Sequence, residues 1–379
     1  MRILLGYSWY KSPVCVQSST ERWLARLRAQ GISVDGITLT LDPPGPRLGW
    51  SELEGMWRRG HRPLLRLYET LARRMEAYDV FVNFNGINLH PEFVRQLPGF
   101  RVYGCFDDPE SSDDLSRPVA NAYDLCMVGN IAEVATYRSW GVREARFWPL
   151  GFREEDRDPS LTRERILTGE RDVPVAILCE RQSPWRRERL DRYAAAFPTG
   201  TYYGDGWPAG FLPEQRRVEL YGRTKIGPNF HNSTGPVNFR TFVLPANGVL
   251  LLGDNKRDLG AIYEDGREAV GFDTVDEAIE LTHYYMAHED ERRAIAAAGW
   301  ARALQDYGEA AVFRKMIACV EEVRGTASTR RGDPVAFLSL HQHRTRFARL
   351  GYRIRTAPSR AARMLSRLRP ARDGKLPPR

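Results

Sequence analysis

The sequence predicts an α/β protein: two doubly wound parallel sheets in tandem, each of Rossmann-like βαβ units. Three observations carry this. Short apolar runs alternate with amphipathic helical segments at the spacing of βαβ units. The alternation pauses at FREEDRDPSLTRERILTGERD, which is charged and lacks apolar periodicity. It then resumes at VPVAILC with a second series of the same kind. The predicted boundaries are 1–152 for a first domain, 153–173 for a linker, 174–325 for a second domain and 326–379 for a basic tail.

RILLGYS reads as the first strand, and STERWLARLRAQG as a helix with Trp23, Leu24 and Leu27 on one face, ended by Gly31. ISVDGITL is the second strand. A proline-rich stretch, DPPGPRLG, precedes a helix around Pro63 to Ala77. YDVFVNFNG, RVYGCFDDPESS, YDLCMVGN and ARFWPLGF supply four more strands. In the second series the helices WRRERLDRYAAAF and EQRRVELYGR alternate with the strands TGTYYGDGW and KIGPNF. The stretch Asn232–Asn255, NSTGPVNFRTFVLPANGVLLLGDN, is a polar loop, a short helix and a buried strand. Long helices and AAVFRKMIACVEEV close the series. In open parallel sheets ligands bind beyond the carboxyl ends of the strands, so the expected site is the cleft between two such domains.

With 379 residues the chain is long enough for two cores, and its 42% hydrophobic content is that of a globular protein. No apolar run approaches the roughly 20 residues of a membrane helix, and MRILLGYSWY reads as a strand rather than a signal peptide. The five cysteines, Cys15, Cys105, Cys126, Cys179 and Cys319, are scattered and lack CxxC spacing. That argues against a disulfide framework or a structural zinc site and fits a reducing cytoplasm.

The net charge of +8 is unevenly placed. From Thr326 onward there are 14 Lys and Arg against 2 Asp and Glu, so the first 325 residues sum to −4. A basic body suited to nucleic acid is therefore not expected. The tail, 326–379, mixes apolar groups with arginines and suits an anionic membrane surface or an acidic partner, though a loosely packed extension fits as well.

The segment KIGPNFHNSTGPVNFRTFVLPANGVLLLGDNKRDLGAIYEDGREAVGF resembles the nucleotide-sugar half of GT-B glycosyltransferases, most closely the spore-maturation CgeB-like group. Asn229, Arg240, Ala246, Gly248, Gly266 and Glu268 match that group's pattern. FDDPES, WPLGF and VAILCERQSPWRRERL agree in order, with Cys179 where glycine is usual. The resemblance is good from about residue 100 to 325. It implies a metal-independent transfer of sugar from a UDP- or GDP-linked donor, leaning towards retention, to an envelope glycan, glycolipid or small-molecule acceptor. A GT-B domain that binds such ligands without turnover is the alternative. Two glutamates eight positions apart, usual in retaining relatives, fall at Gly235 and Val243, whose side chains accept no hydrogen bond.

The chemistry asks for charge to stabilise a diphosphate leaving group and for an oriented acceptor hydroxyl. Candidate donor residues are Arg240, Arg187 (of the trio Arg186, Arg187 and Arg189), Lys225, Asn229, His231, Ser233, Thr234, Gly235 and Asn238. The loop NSTGPVN would present backbone N–H groups at a helix start, and Arg240 a bidentate fork. Candidate acceptor-side residues are Asp107 and Asp108, of which one should face the cleft, together with His90 and the Asn85-Gly86 turn. DDPES reads equally as a helix cap. The GYSWYKS loop lies at the same edge, its aromatics suited to a sugar face.

Overall fold

Six apolar runs form one parallel sheet: β1 (Ile3–Tyr7), β2 (Val34–Thr38), β3 (Val80–Phe84), β4 (Phe100–Cys105), β5 (Leu125–Val128) and β6 (Ala145–Phe147), in the order β2-β1-β3-β4-β5-β6. Every pairing is parallel, for example Ile3 with Val34 and with Val80. The computed structural model describes residues 1–8, 13–41, 48–84, 88–181, 184–232, 235, 238–325 and 332–345, with backbone alone at 13–18 and 185. Trp9–Ser12, Asn85, Gly86, Ser233 and Thr234, all singled out above, lie outside it.

Side chains alternate across the pleat, so this sheet feeds two cores. Leu4, Ile37, Phe81, Tyr103 and Cys126 face one way, against the helices Trp50–Arg58 and Arg62–Met75. Ile3, Leu5, Val80, Val82, Phe100 and Met127 face the other.

The second sheet contains β7 (Val173–Leu178), β8 (Thr201–Tyr203), β9 (Thr224–Asn229), β10 (Leu250–Gly253) and β11 (Val270–Gly271), ordered β11-β10-β9-β7-β8 and again parallel. Its core is built around Val175, Ile177, Ile226, Leu250 and Leu252.

Three segments sit elsewhere than their place in the chain suggests. The helix Glu309–Arg324 follows the second sheet but packs on the first. Ala310, Phe313, Met316 and Val320 join its core, Trp148 Nε1 donates to Val312 O at 3.1 Å, and Arg26 clamps Glu309 at 2.6 and 2.9 Å. Residues 334–345 of the basic tail are also helical and dock on the first domain. Leu338 enters its core, and His341 stacks on Trp57 at 3.7 Å. The linker is structured. It contains a turn, Glu154–Asp156, and a helix, Arg163–Thr168, whose Ile166 is buried in the second core. Asn247 holds it by donating to Asp156 O at 2.9 Å and accepting from Asp158 N at 3.1 Å.

The two sheets face a cleft with their carboxyl edges. The seam is tight: a Cβ at Gly235 would lie 1.9 Å from Asn130 Oδ1, just beyond β5. Across the back, Phe152 pairs with Gly308, and its N–H donates to Tyr307 O at 2.9 Å.

Candidate functional site

β9 ends at Asn229, a fully buried carboxamide from which the second domain's edge is built. Asn229 Oδ1 accepts from Arg240 Nε and Asn238 Nδ2, both at 2.9 Å. Its Nδ2 donates to Asn238 Oδ1 at 3.0 Å and Thr241 Oγ1 at 3.1 Å. Arg240 opens the seven-residue helix Arg240–Ala246, and its Nη1 donates to Leu178 O at the end of β7, 3.1 Å away. Its Nη2 makes no hydrogen bond, and the guanidinium no ion pair, among the described residues. Burial pushes the Arg240 pKa below the ordinary value, with Arg186 adding like-charge repulsion. A half-buried cation short of counter-charge gains by binding an anion.

His231 follows β9. Its Nδ1 and backbone N–H both donate to the buried Asp254 carboxylate, the latter at 2.9 Å, and Asp254 also pairs with Arg189 Nη1 at 3.1 Å. His231 Nε2 faces Thr241 Oγ1 at 3.2 Å and Asn229 Nδ2 at 3.3 Å. Burial lowers its pKa, and the contacts are those of a neutral ring protonated on Nδ1. The relay Arg189–Asp254–His231–Asn229 thus ends at Arg240 and fixes its position.

A cavity of about 340 Å³ opens beside Arg240. Leu178, Cys179, Glu180, Tyr203 and Gly204 line it from the ends of β7 and β8, and Arg186 from the helix Pro184–Ala196. Phe239 and Val243 line it from beside and within the short helix. Phe211, Leu212, Arg217 and Tyr221 close another side, and Asp156 reaches in from the linker. That volume is in the range of small-ligand sites.

The structure therefore brings Arg240, Asn229, Asn238 and His231 together. It does not bring Lys225 to them. Lys225 is near the start of β9, roughly 13 Å from Asn229 at the rise of an extended strand, and pairs with Glu289 at 3.0 Å. Arg187 is exposed and, among the described residues, reaches Arg181 O at 3.5 Å. Within that trio the buried, cavity-lining member is Arg186. Gly235 is present at the seam, where the Asn130 side chain takes the space of any side chain.

On the first domain's edge, Asp108 is 1% exposed and turns inward. Its Oδ2 accepts from the Tyr137 hydroxyl, its carbonyl accepts from Asn130 Nδ2 at 3.4 Å, and the Asp108–Pro109 bond is cis. Oδ1 is buried without a partner among the described residues. Asp107 is half-buried. The residues after them form a π-helical turn, Ser112–Ser116, so DDPES does not cap an α-helix. His90 belongs to the interior. Nε2 bonds Glu54 at 2.8 Å, Nδ1 accepts from Glu92 N at 3.3 Å, and the ring stacks between Trp50 and Trp57. Burial lowers its pKa, and with both ring nitrogens committed no ring atom is left for acid–base work.

Sequence reasoning missed Asp156, Arg217, Tyr203, Phe211 and Tyr221. Phe211 alone left a signal, a large apolar residue in a Gly- and Pro-flanked loop (AGFLPE), and it is 67% exposed. Among the described residues no group of three or more His, Cys, Asp or Glu could hold a metal ion, and no helix is long and apolar enough to cross a membrane.

Residues 181–318 match the model of a family described as glycosyl transferase-like. No curated protein matches the sequence. Among solved structures, Anabaena HepE in complex with UDP is similar at 14% identity and a TM-score of 0.55, covering 85% of this chain and 100% of that one. Sucrose-phosphate synthase from Thermosynechococcus elongatus gives 13%, 0.59, 86% and 100%. A glycosyltransferase from Rickettsia africae gives 11%, 0.59, 86% and 99%. The chain has the GT-B fold, and its C-terminal half is similar to the glycosyl transferase-like family.

Proposed function

We propose that the protein is a glycosyltransferase that takes a sugar from a nucleotide diphosphate donor bound at the second domain's edge. The observation that carries this reading is the cavity beside Arg240, whose Nη2 has no partner among the described residues and whose charge has no counter-ion there. A diphosphate leaving group would meet Arg240 and Arg186, and the aromatic walls would take the nucleoside. HepE was solved with UDP and with UDP-glucose, which favours a uridine nucleotide here. The acceptor, an envelope glycan, glycolipid or small molecule, would approach from the edge carrying Asp107. The likeness to the CgeB-like group, a retaining outcome, and a cytoplasmic enzyme resting on the membrane through its basic tail all belong to this proposal.

Isothermal titration with UDP and GDP tests the donor site. Arg240→Ala should weaken nucleoside diphosphate binding by about 1–3 kcal/mol, the range for a charge-assisted hydrogen bond, and unchanged affinity removes the phosphate role. Asp107→Asn should retain donor binding with reduced transfer.

A second reading, nucleotide-sugar binding without turnover, is favoured by the apolar Val243 in the cavity wall and the filled space at Gly235. Release of nucleoside diphosphate from a panel of UDP- and GDP-sugars decides between the two.

A further inference from the structure

The cavity is lined by two kinds of polar group. Arg240, Arg186 and Arg217 supply positive charge. Asp156 and Tyr221 supply oxygens that bind nothing else among the described residues. The Asp156 carboxylate forms no hydrogen bond and no ion pair among the described residues, although it lies in a lining that also holds Arg217, Leu212, Phe239 and Val243. The hydroxyl of Tyr221, a side chain only 5% exposed, likewise has no hydrogen-bond partner there. None of these oxygens is among the buried unpartnered atoms, so they stay open to the cavity, where a ligand's hydroxyls can replace water; burial of Asp156 has already cost its carboxylate part of that water.

Both are held firmly. Asn247 Nδ2 grips the Asp156 carbonyl at 2.9 Å, and the buried Arg171 donates to Tyr221 O at 2.7 Å and to Asn247 O at 2.9 Å. The main chain on either side is thus tied to one pair of side chains, Asn247 and Arg171, while the acceptor oxygens stay open. A carboxylate only accepts hydrogen bonds, and its two oxygens match two adjacent hydroxyl donors.

We propose that Asp156, a residue of the interdomain linker, recognises the ribose diol of the nucleotide, with the Tyr221 hydroxyl beside it. This rests on the donor reading above, because the diphosphate at Arg240 sets the ligand's direction. The exposed ring of Phe211 and that of Tyr203 then flank the base. The short helix offers only Val243 on this wall, so the carboxylate comes from the linker instead.

Binding should also follow the charge of Asp156. Burial raises its pKa to about 6, Arg153 and Arg217 work against that rise, and Glu155 and Glu214 add to it. Glu180, Arg186, Tyr203, Tyr221 and Arg240 share the cavity. The ionised form is the acceptor, so diol recognition is present above about pH 6 and fades below it.

The test is titration of the full chain with UDP and with 2′,3′-dideoxy-UDP. The wild type should bind UDP about tenfold or more tightly than the dideoxy form. Asp156→Asn should lose most of that preference by weakening UDP alone, with an unchanged melting temperature, and lowering the pH from 7.5 to 5 should do the same to the wild type. Equal binding of the two nucleotides by the wild type, or a preference untouched in Asp156→Asn, overturns the role of Asp156 and leaves the donor site standing. Absence of binding to any nucleoside diphosphate overturns both.

Discussion

The two edges of the cleft are built on opposite principles. On the second domain's edge Arg240 Nη2, the Tyr221 hydroxyl and the Asp156 carboxylate are held in place and left open. On the first domain's edge polar groups are turned inward, where Asn83 Oδ1 and Asp108 Oδ1 are buried without a partner among the described residues. Asn83 Nδ2 donates to Tyr123 at 2.6 Å, Tyr137 caps Asp108, and His90 is closed between two tryptophans. In the proposed reading one edge is a preorganised binding surface, and the other is a wall. Donor binding needs fixed charge before the ligand arrives. An acceptor can be positioned by a wall and by the donor itself.

The comparison can be broken most forcefully at the seam. Gly235→Val should separate the edges, since its Cβ would collide with Asn130 Oδ1. Overpacking of this kind costs about 1–3 kcal/mol, and the Tm should fall together with UDP affinity. An unchanged Tm would mean that the edges do not rely on this contact. A narrower effect, on stability without nucleotide affinity, is expected from Tyr137→Phe. It leaves Asp108 buried with neither carboxylate oxygen bonded, at a cost of about 1–3 kcal/mol in denaturant unfolding. UDP binding should survive it, because the wall is damaged and the binding surface is not.

The smallest effect is in pH. Burial lowers the pKa of His90 from the ordinary 6.5, so the unfolded chain takes up its proton first as the pH falls. His90 therefore contributes stability above about pH 6.5 that is lost on acidification. His90→Gln should flatten the decline in Tm between pH 7 and 5, and a decline of unchanged slope would show that the ring titrates freely.

The strands were legible because a parallel sheet buried on both faces writes each as an apolar run, as in Ile3–Tyr7 and Leu250–Gly253. The helix Glu309–Arg324 was legible as a helix, but an amphipathic stripe does not say which sheet it will cover. Arg240 and Asn229 could be placed together from the sequence because the loop after a strand lies at the sheet's carboxyl edge. Lys225 was misplaced by ignoring the rise along that same strand. Arg186 could not be told from Arg187, which differ by one position in helical phase. Asp156 was hidden most completely: in a run of seven charges among eleven residues, Arg153 to Arg163, nothing marks the one carboxylate that faces a cavity.

The chain passes between the halves twice, once after Phe152 and once before Glu309, and the two passages are bonded to each other at Phe152, Tyr307 and Gly308. That arrangement is mechanical. Two ribbons joined side by side have the geometry of a single pivot, about which a swing of the halves would leave both sheets intact. Sliding or unscrewing would shear the pairing. A molecule hinged in this way would open its mouth at the side away from Phe152, and whatever entered or left would do so along that one arc.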